Sequence, residues 1–155
     1  MSVMVEVLNK SINFVNLTDG EIMLLIQLCQ PICKKKGEIV FNEGELDDCG
    51  VYFIEEGVIK IIKVTEEKRK MLAMFGLGNM FGEMSFFTPT PRSATAVVDE
   101  DVILHKLIPS KFEELEHQAP LTAIKILKIF INKLAGRLRQ TDEALMQARG
   151  KIIIT

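Results

Sequence analysis

Between Glu38 and Pro109 the chain reads as short apolar runs cut by turn signals, and this limits the fold more than any other feature. Ile39-Val40-Phe41 leads into Asn42-Glu43-Gly44. Val51 to Ile54 and Val58 to Val64 flank Glu55-Glu56-Gly57, which reads as a hairpin turn. Met71 to Phe75 precedes the glycine-rich Gly76-Leu77-Gly78-Asn79. Ala94 to Val98 and Val102 to Ile108 surround an acidic turn, Asp99-Glu100-Asp101. Many short strands at this spacing predict an all-β sandwich or barrel.

Helical patterns bracket the strands. Thr18 and Glu21 form a capping box ahead of Ile22, Leu25, Ile26 and Cys29, which share a helix face. Lys34-Lys35-Lys36-Gly37 closes that region as a solvated turn. Ser110 and Glu113 predict a second capping box, opening a short helix to about Gln118. Pro120 suits the first position of another helix, which runs to about Arg149 and stops at Gly150. In that last helix Ile124, Leu127, Ile131, Leu134, Leu138, Thr141, Leu145 and Ala148 recur at alternating steps of three and four, a heptad seam. Ile126, Ile129 and Phe130 form a second stripe, expected to pack on the strands. Two apolar faces predict two neighbours, the barrel and a second copy of the chain.

With 155 residues, 48% of them apolar, the chain is long enough for one domain with its own core, expected over 1–155 as a helical region 1–36, a barrel 37–109 and helices 110–149. A net charge of -2 gives no general attraction for nucleic acid. No apolar run reaches the roughly 18 residues of a membrane span, and the first residues lack a secretory pattern, so a cytoplasmic location is expected. The three cysteines, Cys29, Cys33 and Cys49, follow no framework and read as reduced, buried, small apolar side chains rather than metal ligands.

The chemistry concentrates in Phe81-Gly82-Glu83-Met84-Ser85-Phe86-Phe87-Thr88-Pro89-Thr90-Pro91-Arg92-Ser93-Ala94-Thr95. A glycine and a carboxylate stand at one end, an arginine and a hydroxyl at the other. A guanidinium can meet two phosphate oxygens with parallel charge-assisted bonds. An ionised carboxylate only accepts, so it selects a hydroxyl donor such as a ribose. Arg92 is expected on the phosphate and Glu83 on the 2′-hydroxyl. Gly82 is expected to let the backbone approach the sugar, and Met84 and Ser85 to offer backbone N–H groups at the start of a helical turn. Ser93 is expected to donate to the phosphate, and Ala94 to leave room. A second reading of Glu83 is a charge favouring the N-terminus of that turn.

The segment resembles the phosphate-binding cassette of cyclic-nucleotide-binding domains, the family that includes the catabolite activator protein, the protein kinase A regulatory subunit and cyclic-nucleotide-gated channels. Gly82, Glu83, Met84, Ser85, Pro91, Arg92, Ser93 and Ala94 carry the match, and the likeness extends from about Leu17 to Arg149. Phe86 stands where the pattern more often has leucine. The resemblance implies an eight-stranded jelly-roll barrel with an N-terminal helix and a long C-terminal helix, and a sensor that binds rather than catalyses.

Leu138 to Glu143 resembles the long helix of the catabolite activator, which implies that Thr141 and Asp142 cap the purine. The family has serine where this chain has Asp142. Ser93 is the residue common in the cassettes of cAMP binders, which favours cAMP over cGMP. The implied signal is movement of the C-terminal helix toward a downstream protein effector. Five residues, Lys151 to Thr155, leave no room for a helix-turn-helix, so DNA binding by this chain alone is not expected.

Two alternatives stand beside this reading. One is a degenerate barrel that serves only in assembly. The other is a metal-binding barrel enzyme, for which His105 and His117 are the only histidines and stand at unrelated positions.

Overall fold

A computed structural model describes residues 3–11, 14 and 16–150. The elements in order are α1 (Val3–Lys10), α2 (Asp19–Gln27), β1 (Gln30–Lys34), β2 (Ile39–Phe41), β3 (Val51–Thr65), β4 (Lys68–Phe75), β5 (Met80–Phe81), α3 (Met84–Phe87), β6 (Thr95–Leu107), α4 (Pro109–Gln118) and α5 (Pro120–Arg149). The Ile152–Ile154 tail lies outside the described residues.

The strands form one antiparallel sheet in the order β1-β6-β3-β4, with β2 on β6 and β5 on β3. Among the described residues the sheet has six strands, not eight, and its ladders do not close on themselves. The two expected hairpins are absent. Residues 51–65 make one strand that pairs with β6 along its length, from Val51↔Leu107 to Ile62↔Thr95. The glycine and acid clusters read as turns are irregularities in that ladder, at Ile54/Glu56, Glu56/Val58 and Val58/Ile59. Gly57 has φ +92, and a Cβ there would lie 2.1 Å from the carbonyl oxygen of Asp101. The glycine therefore serves a bulge where two backbones touch, not a reversal.

β1 falls inside the region expected to be helical. Its Pro31 is compatible with a strand because β1 lies at the end of the strand order. Cys29 and Cys33 consequently do not share a helix face. Cys29 follows α2, where burial pushes its thiol up to about 12, and Cys33 is exposed on β1. Only Cys49 is fully buried.

α2 begins as read. Thr18 Oγ1 accepts from the Glu21 N–H, and the Glu21 carboxylate accepts from the Thr18 N–H. α4 does not. Pro109 takes the first turn, Ile108 precedes it, and Ser110 lies inside the helix with no side-chain cap. α5 opens at Pro120 and ends on Gly150 in the left-handed conformation, and its 30 residues span about 45 Å.

Alternation along β3 divides the core in two. Val51 and Phe53 face α1, α2, α4 and α5, whereas Tyr52 and Ile54 face the concave side with Phe41, Phe81, Ala96 and Leu104. α5 buries Ala123, Ile126 and Phe130 in the first cluster, with Ile129 partly buried there. Ile131 and Leu138 on its seam are 61% and 63% exposed. No described helix is long and apolar enough to cross a membrane.

Candidate functional site

A cavity of about 750 Å³ opens between the concave sheet face, the cassette and α5. That volume is within the usual span for small-molecule sites, roughly 300–1,000 Å³.

Arg92 enters from the segment between α3 and β6. Its backbone is tied to the Gly44 turn, its N–H donating to the Glu45 carbonyl and its carbonyl accepting from the Gly44 N–H. The guanidinium is almost completely buried and held on three sides. Nε donates to both Asp47 oxygens, at 3.2 and 2.9 Å. Nη1 donates to the Gly82 carbonyl at 3.1 Å and Nη2 to the Gly50 carbonyl at 2.8 Å. The Phe41 ring lies 4.1 Å away. Asp47 is itself steadied by the Cys49 N–H, in a loop where Cys49 takes φ +59. A guanidinium has five N–H groups, so one on each terminal nitrogen remains for a further acceptor.

Glu83 begins α3 without capping it, for its side chain makes no hydrogen bond to the helix backbone. It is only 1% exposed, and Oε1 accepts from Arg137 Nη1 of α5 at 2.8 Å. Oε2 is buried without a donor. Gly82 has φ +86, and a Cβ there would press on Arg92 Nη1 at 3.0 Å and the Gly50 carbonyl at 3.1 Å. Gly82 thus allows the two ends of the cassette to meet.

Gly82, Glu83, Met84, Ser85, Arg92 and Ser93 all line the cavity, as do Ala94 and Thr141. Asp142 does not. It lies one residue round the helix, between the exposed Leu138 and Leu145. Ser93 is exposed, with Oγ 3.9 Å from Met84 Sδ, and Ser85 and Ala94 are buried.

Sequence reading missed Asp47, Lys133, Arg137 and Gln140. The last three share the cavity-facing stripe of α5 with Thr141; steps of four back from Thr141 reach Arg137 and Lys133, and Gln140 lies three residues on from Arg137. Lys133 donates to the Met80 carbonyl and sits 4.3 Å over the Phe75 ring. Burial pulls its pKa below the usual lysine range, with the Glu83 carboxylate opposing that shift. The cassette also meets α5 through rings, Phe86 packing edge-on to Phe130 at 5.6 Å and to Phe112 of α4 at 5.8 Å. Among the described residues no group of three or more His, Cys, Asp or Glu side chains is arranged to hold a metal ion.

A family model of the cyclic nucleotide-binding domain matches residues 33–118. The chain belongs to the cyclic nucleotide-binding domain family. It is 30% identical over 141 residues to a CRP-like cAMP-activated global transcriptional regulator of Mycobacterium tuberculosis, covering 90% of this chain and 61% of the relative. The Thermus thermophilus catabolite activator protein superposes with a TM-score of 0.77 at 29% identity, covering 88% of this chain and 62% of that one. A cyclic nucleotide-binding domain from Methylobacillus flagellatus gives a TM-score of 0.81 at 23% identity, covering 94% and 82%, which is a likeness of fold. The chain spans about three-fifths of the length of the curated regulators it matches.

Proposed function

We propose that this domain is a cyclic-nucleotide sensor on a jelly-roll framework, binding cAMP in preference to cGMP and signalling through a shift of α5. The observation that carries the reading is Glu83, a buried carboxylate with one oxygen on Arg137 and the other without a donor. An unpaired buried acceptor costs about 1–3 kcal/mol until a donor reaches it. A ribose 2′-hydroxyl is such a donor, and the two remaining N–H groups of Arg92 match the exocyclic oxygens of a cyclic phosphate. Met84 and Ser85 add backbone N–H groups, Ser93 a hydroxyl, and Gly82 and Ala94 the space. Thr141 faces the base from α5. Asp142 is off the cavity lining, between the exposed Leu138 and Leu145, so it reaches a base only from a second copy of α5 lying across that face. A domain used only for assembly gains nothing from a buried acceptor lacking a donor, which weighs against that alternative.

The signal follows from what joins cassette and helix. Glu83 is shared between Arg137 and the sugar, and Phe86 bears on Phe130. A ligand that binds one arrangement of these contacts more tightly shifts the position of α5. Binding in place of catalysis, a cytoplasmic setting and a homodimer acting on a protein effector complete the proposal.

Thermal unfolding with cAMP and with cGMP tests it. Ligand at 100 times its dissociation constant adds about 2.7 kcal/mol. For a domain of this size that raises the midpoint by roughly 5–10 °C. Stabilisation by cAMP at lower concentration than cGMP is expected, and no shift with either removes the reading.

A further inference from the structure

Methionine is unevenly placed in this protein. Met4 and Met80 are 0% exposed, whereas Met71, Met74 and Met84 stand open on the cavity wall, Met84 at 46%. An open thioether meets dissolved oxidants and a buried one is shielded from them. Met84 differs from the two methionines of β4 in lying inside the cassette, directly after Glu83. Its Sδ is 3.9 Å from Ser93 Oγ, within reach of a hydrogen bond to sulfur, and the Ser93 hydroxyl donates to it. Thioether sulfur is a weak acceptor, so a phosphate oxygen readily replaces it and Ser93 stays available to a ligand.

Resting on the function proposed above, we infer that Met84 is an oxidation site for peroxides and that its sulfoxide turns nucleotide binding down. The sulfur lone pair attacks one oxygen of hydrogen peroxide. The S–O bond forms as the O–O bond breaks, and the departing hydroxide takes the proton of the transferred oxygen and leaves as water. Sulfur loses two electrons and the peroxide gains them. The new oxygen carries partial negative charge and is a strong acceptor. It keeps the Ser93 hydroxyl from the phosphate, and it repels the anion from the cassette. A methionine sulfoxide reductase restores the thioether, two thiols becoming a disulfide while the oxygen leaves as water.

Treatment of the full chain with hydrogen peroxide tests the assignment. Peptide mass spectrometry locates the added oxygen, and calorimetry gives the cAMP affinity before and after treatment for wild type, Met71→Leu and Met84→Leu. Oxygen is expected on Met84 while Met4 and Met80 stay unmodified. Wild-type affinity is expected to fall about tenfold, the scale of one hydrogen bond to a charged group. Met71→Leu should fall as wild type does. In Met84→Leu the ratio of treated to untreated affinity should stay within about twofold, whatever the untreated value. Binding should return with methionine sulfoxide reductase and dithiothreitol but not with dithiothreitol alone, which reverses thiol oxidation at the exposed Cys33. An equal fall in Met84→Leu overturns the inference, as does full recovery with dithiothreitol alone. If untreated wild type binds neither cAMP nor cGMP, the sensor function and this inference fail together. Untreated protein that binds, and keeps its affinity once Met84 is oxidised, defeats this inference alone.

Discussion

Glu83 and Arg92 are both buried ions, and the protein treats them differently. Arg92 is held by Asp47, two carbonyls and the Phe41 ring, with one N–H on each terminal nitrogen left over. Glu83 is half satisfied, and its one partner, Arg137, is 43% exposed. Removing the Glu83 charge therefore leaves a solvated arginine, not a stranded one. Replacing a buried, incompletely paired ion with a neutral group of similar shape is often neutral or stabilising. Glu83→Gln is expected to retain the wild-type melting temperature within about 2 °C while weakening cyclic-nucleotide binding at least tenfold, about 1.4 kcal/mol or more. Calorimetry with cAMP and a melting curve check both halves, and a large fall in stability contradicts the account of Glu83. At this scale Glu83, Arg92 and Gly82 are legible because they stand close in the chain in a fixed pattern. Asp47, Arg137 and Gln140 are not, because their role depends on how a loop and a helix are phased against the sheet. Asp142 illustrates the same limit, since a step of one residue turns a helix by about 100° and carries it off the cavity face.

Among the elements, α2 and α5 are joined by one carboxylate. Glu21 completes the α2 capping box and also accepts from Thr122 Oγ1 at 2.7 Å and Lys125 Nζ at 2.9 Å. Burial opposes its charge, but the bonds from Lys125, Thr122 and the Thr18 N–H outweigh it and bring the pKa down to about 2 from 4.5. A carboxylate with a depressed folded pKa contributes stability that is present above the unfolded value and lost as pH falls through the folded one. The Glu21 contribution is thus complete above about pH 5 and fades between about 4.5 and 2. Glu21→Gln is expected to melt below wild type at pH 7, with the gap closing toward pH 2.5. A gap that is constant with pH contradicts the linkage. The capping box itself was readable because its two residues are three apart, whereas the partners on α5 are about a hundred residues away. The long strands were misread for a related reason. Gly57 and the acidic run at Asp99 to Asp101 carry turn chemistry, and only the pairing of β3 with β6 makes them bulges.

In the whole molecule, α5 serves two surfaces. Its N-terminal half is anchored by Ala123, Ile126 and Phe130, and its cavity stripe meets the cassette. Its seam keeps Ile124, Ile131, Leu138 and Leu145 exposed at intervals of seven. Such a row is costly to leave in water and fits a second α5. Sedimentation is expected to show a dimer for the wild type and a monomer for Leu138→Glu, and a wild-type monomer contradicts the seam. The broad order of helix, strands and long helix was legible from periodicity. That β3, β4 and β5 would share the wall of a cavity was not, because their alignment comes from long-range pairing. The central claim, that the buried arginine of this cavity holds a cyclic phosphate, is tested most directly by titration calorimetry of cAMP into wild type and Arg92→Ala, with circular dichroism confirming that the variant is folded. The expected result is one site per chain in wild type and an affinity at least tenfold lower in the variant. Equal affinities for the two proteins would contradict it.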